Sequence, residues 1–129
     1  MPARTPEEIQ PLLAAAFNAG DIDAFLDLHE DDATVRPPRG PRASGRDAIR
    51  ASVAPIFALQ PTIRNEVLDS VQGDGLALVH ARWQLRGSEA GREVEMSGVA
   101  TVVSRRRPDG TWRIVLEDTI RADPPLRTQ

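Results

Sequence analysis

At 129 residues, with 40% hydrophobic and 27% charged residues, the chain has the size and composition of one globular domain that buries a core without covalent staples. A formal charge of −3 and a pI near 5.4 argue against nucleic acid as a partner, because counterion displacement needs a basic surface. All sixteen basic residues are Arg and Cys is absent, which excludes a Schiff-base lysine, disulfides, thiolate nucleophiles and Cys-ligated zinc.

The N-terminal Met1-Pro2-Ala3-Arg4 lacks the apolar region of a secretory signal, and no apolar run approaches the ~20 residues of a membrane helix. The expected location is therefore cytoplasmic, with no membrane partner. Thr5-Pro6-Glu7-Glu8 places Thr at an N-cap, Pro at the first helical position and Glu two positions later, a helix start. Ile9, Leu12, Leu13, Ala16 and Phe17 then recur at helical spacing, and Gly20 supplies a left-handed stop. Asp21 caps a second helix whose Ile22, Phe25, Leu26 and His29 fall three or four apart, so His29 is expected to point inward from that helix. Ala33-Thr34-Val35-Arg36 reads as a brief strand. The prolines of Pro37-Pro38-Arg39-Gly40-Pro41-Arg42 lack ladder donors, which makes this stretch a surface arm or an edge hairpin.

Ser44 or Gly45 opens a third helix with Ile49, Val53, Ile56 and Phe57 on its buried side, and Pro55 is expected to bend or end it. From Pro61 the pattern changes to period two, with strands expected near Ile63–Val71, Leu76–Arg86, Arg92–Arg106 and Thr111–Ile120. Gly73-Asp74-Gly75 and Pro108-Asp109-Gly110 are turn chemistry for antiparallel hairpins. Three helices followed by a meander imply an α+β layer fold with the helices on one face of a sheet.

Alternation assigns the faces. Val79, Ala81, Trp83 and Leu85 share the inward side of one strand; Val94, Met96, Gly98, Ala100 and Val102 share that of the next. If their hairpin turns around Glu89-Ala90, Arg86 lies opposite Glu93 and Gln84 opposite Glu95. On the last strand Trp112, Ile114, Leu116 and Asp118 fall on one face, which the apolar members direct to the core.

Asp118 is then a carboxylate ending an apolar stripe, opposite Gly98 or Ala100. Desolvation would tune such an acid for proton transfer; the alternative is a sheet-edge carboxylate accepting from Arg121 or a backbone amide. A histidine can act as acid or base near neutral pH, so His29 is the second catalytic candidate, or else a satisfied core or rim residue. Trp83 and Met96 either stack on a flat apolar ligand or fill the core. The expected ligand-lining set is Leu13, Phe17, Val35, Arg36 and Phe57 from the first half, and Val79, Ala81, Trp83, Met96, Gly98, Ala100 and Leu116 from the sheet. Two histidines on different elements lack metal-ligand spacing, and phosphate loops and serine elbows are missing, so no metal and no cofactor is expected.

Phe17-Asn18-Ala19-Gly20-Asp21, Asp31-Asp32-Ala33-Thr34-Val35, Ser44-Gly45-Arg46-Asp47-Ala48-Ile49 and Gly110-Thr111-Trp112-Arg113-Ile114-Val115 together resemble the NTF2-like superfamily, in its SnoaL-like and ketosteroid-isomerase-like branch. The resemblance covers nearly the whole chain. It implies a cone-shaped curved antiparallel sheet, a hydrophobic cavity beneath the helices and a homodimer through the outer sheet face. It implies a small apolar organic ligand, with cofactor-free isomerase, cyclase or hydratase chemistry, or else a non-catalytic dimeric binding or assembly role. The catalytic sets of this branch are incomplete. The place of the isomerases' general-base Asp holds Pro37 or Arg36, that of their helical Tyr holds Leu13, and that of their oxyanion-stabilising acid holds Gly98 to Ala100. The Arg-x-Asp of the epoxide-hydrolase relatives reads Arg82-Trp83-Gln84, which leaves Asp118 as the remaining match.

Overall fold

The structure, a computed structural model, describes residues 2–120; Arg121 and the tail Ala122–Gln129, expected to fray, lie outside the described residues. A 3-10 turn, Pro6–Glu8, leads into α1 (Ile9–Ala19) and α2 (Ile22–Asp27), followed by β1 (His29–Arg36), β2 (Ala43–Ser44) and α3 (Arg46–Phe57). The meander is β3 (Thr62–Gln72), β4 (Leu76–Glu89), β5 (Arg92–Arg106) and β6 (Trp112–Ile120).

Local chemistry sets the helix ends. Thr5 Oγ1 accepts the Glu8 N–H at 3.3 Å while the Glu8 carboxylate accepts the Arg4 N–H at 2.7 Å, a reciprocal cap that reaches one residue further back than the usual box. Gly20, at φ 68°, closes α1 with its N–H on the carbonyls of Ala16 and Phe17. Asp21 caps α2 through the Ala24 N–H at 3.0 Å. The second helix stops at Asp27, so His29 is the first residue of β1 and not part of the helix. Pro55 does not end α3, which continues to Phe57; so close to the C-terminus a proline forfeits only one ladder bond.

The sheet is curved and unclosed, in the order β2-β1-β6-β5-β4-β3. Its neighbours are antiparallel except β1 and β6, which run parallel. The helices cover the concave face, and the core joins Ile9 and Leu13, Phe25 and Leu26, and Ile49, Val53 and Ile56 to inward residues of the sheet. Asn18 pins the end of α1 to the start of β3. Its Oδ1 accepts the Ile63 N–H at 2.6 Å and its Nδ2 donates to the Ile63 carbonyl at 3.1 Å.

The β4–β5 hairpin turns at Ala90 and Gly91, with φ of 52° and 80°. Arg86 therefore faces Glu95, with a 3.0 Å ion pair, and Gln84 faces Ser97. This differs from the expected register by two residues, a shift that keeps every side chain on its expected face. β6 departs differently. Ile114 pairs with Ser104 but Leu116 pairs with Val103, so Val115 is an extra, bulged residue. Trp112 and Ile114 are buried as alternation predicts, but Leu116 is 47% exposed. Beyond the bulge Glu117 and Thr119 turn inward, and Asp118 lies opposite Thr101 and Arg36, not Gly98 or Ala100.

Candidate functional site

Between the helices and the concave sheet lies a cavity of about 60 Å³. Leu13 and Phe17 of α1, Phe25 of α2, and Val53 and Ile56 of α3 form its helical wall. Val35, Ile63, Trp83, Leu85 and Ala100 line the sheet side, and Pro37 and Pro38 of the β1–β2 arm complete the enclosure. The arm is tied down by Arg39 to Glu89 and by the Ser52 hydroxyl to the Pro41 carbonyl, both at 3.5 Å.

Of the residues expected in the ligand wall, Leu13, Phe17, Val35, Trp83 and Ala100 line the cavity. Phe57 stands behind Phe17, stacked on it at 4.7 Å. Val79 and Ala81 are buried but do not line the cavity, Gly98 pairs with Trp83 without lining it, and Met96 sits half-buried in a separate groove with Gln84 and Glu95. Arg36, Leu116 and Asp118 are on the other side of the sheet. There Asp118, its side chain 32% exposed, accepts two hydrogen bonds from the Arg36 guanidinium at 2.6 and 2.5 Å. Those bonds, and then the charge of Asp118, raise the guanidinium above its ordinary range. The expectation that Asp118 is a desolvated pocket acid is thus corrected by the bulge at Val115.

Glu117 takes the inward place. It lines the cavity, its side chain is 10% exposed, and its Oε1 lies 3.3 Å from Nε2 of His29, which is 2% exposed. Nδ1 of His29 is 2.9 Å from the Phe25 carbonyl, and the ring lies 4.7 Å from the Phe25 ring. A carbonyl only accepts, so Nδ1 carries a hydrogen. Nε2 would then present a lone pair to a carboxylate unless a second proton lies between them. Nε2 of the buried imidazole thus faces the Glu117 carboxyl group, and Glu117 is the member of the pair that faces the cavity.

Four polar residues of the wall, Gln10, Asn65, Glu117 and Thr119, were absent from the sequence reading. Asn65 Nδ2 donates to the Gln10 main-chain carbonyl at 2.9 Å and reaches the Gln10 side-chain Oε1 at 3.5 Å. Flipping the Gln10 amide would set two donors against each other, so its oxygen faces Asn65. Gln10 Nε2 is left buried with no partner among the described residues, as is the indole Nε1 of Trp83. Gln10 carried a signal, since it lies three and seven residues before Leu13 and Phe17 and so shares the helix face that lines the cavity. Glu117 carried one as well: it and Asp118 are adjacent, so either strand parity turns one acid inward.

A family model for a SnoaL-like domain matches residues 11–115. The chain belongs to this SnoaL-like family. Solved structures agree at the level of fold. A ketosteroid isomerase-like protein from Erwinia carotovora atroseptica shares 21% identity at a TM-score of 0.79, covering 92% of this chain and 94% of that one. A provisionally assigned dehydratase of the NTF2-like family from Streptomyces avermitilis shares 24% at 0.69, covering 89% and 92%. A provisionally assigned calcium/calmodulin-dependent protein kinase type II association domain from Thiobacillus denitrificans shares 21% at 0.75, covering 93% and 98%. No curated protein matches. Among the described residues no helix is long and apolar enough to cross a membrane.

Proposed function

We propose that this SnoaL-like chain binds a small, mostly apolar organic molecule in its cavity and moves a proton on it with Glu117, positioned by His29. The observation that carries the proposal is a buried imidazole–carboxyl contact, His29 Nε2 to Glu117 Oε1 at 3.3 Å, whose carboxyl end lines a mostly apolar chamber. A carboxyl so placed exchanges its proton with a bound molecule without a cofactor, and the Phe25 carbonyl keeps the imidazole in the one orientation that supports it. Isomerisation, cyclisation and hydration all use such a group. The cavity is smaller than the ~150 Å³ that accepts a benzene ring. A compact ligand therefore suits it; one of about six to eight non-hydrogen atoms enters with a small outward shift of the Pro37–Pro38 arm, and a tetracyclic steroid requires that arm to lift. The location proposed is the cytoplasm.

A thermal-shift screen of uncharged compounds of about four to eight non-hydrogen atoms tests the binding role, since a ligand of the native state raises the melting temperature by mass action. Deuterium uptake at acidic C–H positions of each hit, followed by NMR in D2O, tests the proton transfer. Uptake lost in Glu117→Gln supports the reading. Binding without uptake refutes the chemistry and leaves a binding protein.

A second reading, a non-catalytic dimeric assembly or binding protein, is favoured by the outer face. Val71, Leu78, Val103 and Leu116 lie side by side across β3 to β6, with Val71 69% exposed. Such a row fits a second copy of the chain, and a homodimer through this face belongs to both readings. Leu116→Glu is expected to convert the dimer to monomer in light-scattering chromatography; a monomeric unaltered protein would refute it.

A further inference from the structure

The mostly apolar wall of the cavity contains two donors with no partner among the described residues. Burying an N–H without a partner costs free energy that folding must offset elsewhere, and native structures leave few such groups. Gln10 Nε2 and Trp83 Nε1 are both in this condition, both belong to residues of the same cavity, and both residues adjoin Asn65, Gln10 through hydrogen bonds and Trp83 as its cross-strand partner. Asn65 pairs with Trp83 across β3 and β4 and orients the Gln10 amide through its own side chain. The chain of constraint begins at the Gln10 main-chain carbonyl, which fixes the Asn65 amide, which in turn fixes the Gln10 oxygen. The Gln10 amide hydrogens then meet no acceptor among the described residues.

Resting on the reading of this cavity as a ligand site, we infer that Gln10 and Trp83 form a two-donor anchor for an acceptor-only oxygen, and that the ligand class is a compact, uncharged carbonyl compound. An sp2 oxygen has two lone pairs and no hydrogen, which matches two donors. A carboxylate is disfavoured because it would share the chamber with the Glu117 carboxyl group, and no Arg lines the cavity among the described residues. An amine or ammonium would bring donors to donors. Glu117, on the β6 wall, is separated from Trp83 on β4 by β5, whose Ala100 lines the cavity between them. That small residue leaves the space between the two walls open to the body of the ligand.

The probes are cyclopentanone and methylenecyclopentane, which share a shape and differ in the acceptor oxygen. The full chain, labelled with 15N, gives one indole resonance for each of Trp83 and Trp112, assigned by Trp83→Phe. Cyclopentanone is expected to bind about 3- to 10-fold more tightly than methylenecyclopentane and to move the Trp83 indole proton downfield. Methylenecyclopentane should bind without that shift. Trp83→Phe and Gln10→Met should each cost cyclopentanone about 3- to 10-fold and leave methylenecyclopentane within about twofold. Equal binding of both probes with an unmoved indole proton overturns the anchor and leaves the cavity reading standing. No binding of either probe removes both. The comparison of isosteric probes on the unaltered protein needs no variant, so a Trp83 or Gln10 substitution that fails to fold does not affect the result.

Discussion

Replacing His29 by Phe tests the buried pair most directly. Phe keeps an aromatic ring against Phe25, and the Phe25 carbonyl retains its bond from the Leu28 N–H at 3.2 Å. What is lost is the partner of a carboxylate that is 10% exposed. Breaking one side of a buried ion pair costs about 3–5 kcal/mol, but a cavity of about 60 Å³ beside the carboxylate has room for a few waters, at roughly 10–15 Å³ each, so about 2–3 kcal/mol is expected here. Glu117→Gln should cost under about 1 kcal/mol, because the new amide donates to the free Nε2 of a neutral His29. Glu117→Leu should cost about 1–2 kcal/mol by orphaning Nε2, and the His29→Phe, Glu117→Leu double variant no more than the His29 single. The cycle then returns a coupling of about 1.5–2.5 kcal/mol. Urea unfolding at neutral pH measures all four proteins, and at about 3–5 °C per kcal/mol the His29 variant should melt roughly 10 °C low. Additivity within about 0.5 kcal/mol would refute the pair, as would a Glu117→Gln variant as unstable as His29→Phe.

Asp118→Asn should leave deuterium uptake into a cavity probe within about twofold of the unaltered protein while Glu117→Gln abolishes it, and the reverse outcome would restore the sequence-based choice of acid. Gly87→Ala should destabilise by about 1–3 kcal/mol in urea, because its Cβ would meet the Leu59 Cβ at 2.7 Å and the Leu59 carbonyl oxygen at 2.9 Å, the latter already accepting the Ser88 N–H at 2.8 Å. Hydrogen bonds from the Thr111 hydroxyl and N–H hold the Asp109 carboxyl below the usual carboxylate range. Its contribution is therefore complete above the unfolded-chain value of about 4 and fades as pH falls through the lower folded value. The melting-temperature gap between the unaltered protein and Asp109→Ala should be widest at pH 6–7 and narrow near pH 3; a gap that widens in acid contradicts it.

Which parts of this molecule can be read from its residues depends on whether an error of register changes a face. The helix boundaries rest on short-range chemistry, the Thr5 cap, the Gly20 stop and the Asp21 cap, and all three hold in the structure. The hairpin joining β4 and β5 turns two residues from its expected register, yet the inward stripe containing Trp83 and Ala100 is unaffected, because a shift of two preserves alternation. On β6 one bulged residue sufficed to exchange Asp118 for Glu117. No local propensity marks Val115 as the insertion point. It lies where the β1 register beside β6 also slips, between His29 and Thr34, and where the Ile114 N–H bonds the Leu28 carbonyl at 2.7 Å. Both are long-range events.

The same bulge decides what the site is made of. A straight β6 would give the cavity an aspartate and direct Glu117 outward, away from the imidazole that begins β1. With Val115 displaced, the longer acid faces inward and meets His29 across the parallel β1–β6 pair, while the shorter one closes on Arg36 outside. His29 reaches this contact because α2 ends at Asp27 and releases the chain into a strand; one more helical turn would have carried the imidazole past it. A pair assembled from a helix stop and a strand bulge needs both in register. The contact between Nε2 and Oε1 therefore depends on two backbone irregularities that an idealised sheet would lack. Deleting Val115, the extra residue, should leave Ile114 and Glu117 both inward and the pair intact, whereas a register slip that draws Val115 into the ladder would turn Glu117 outward and separate it from His29.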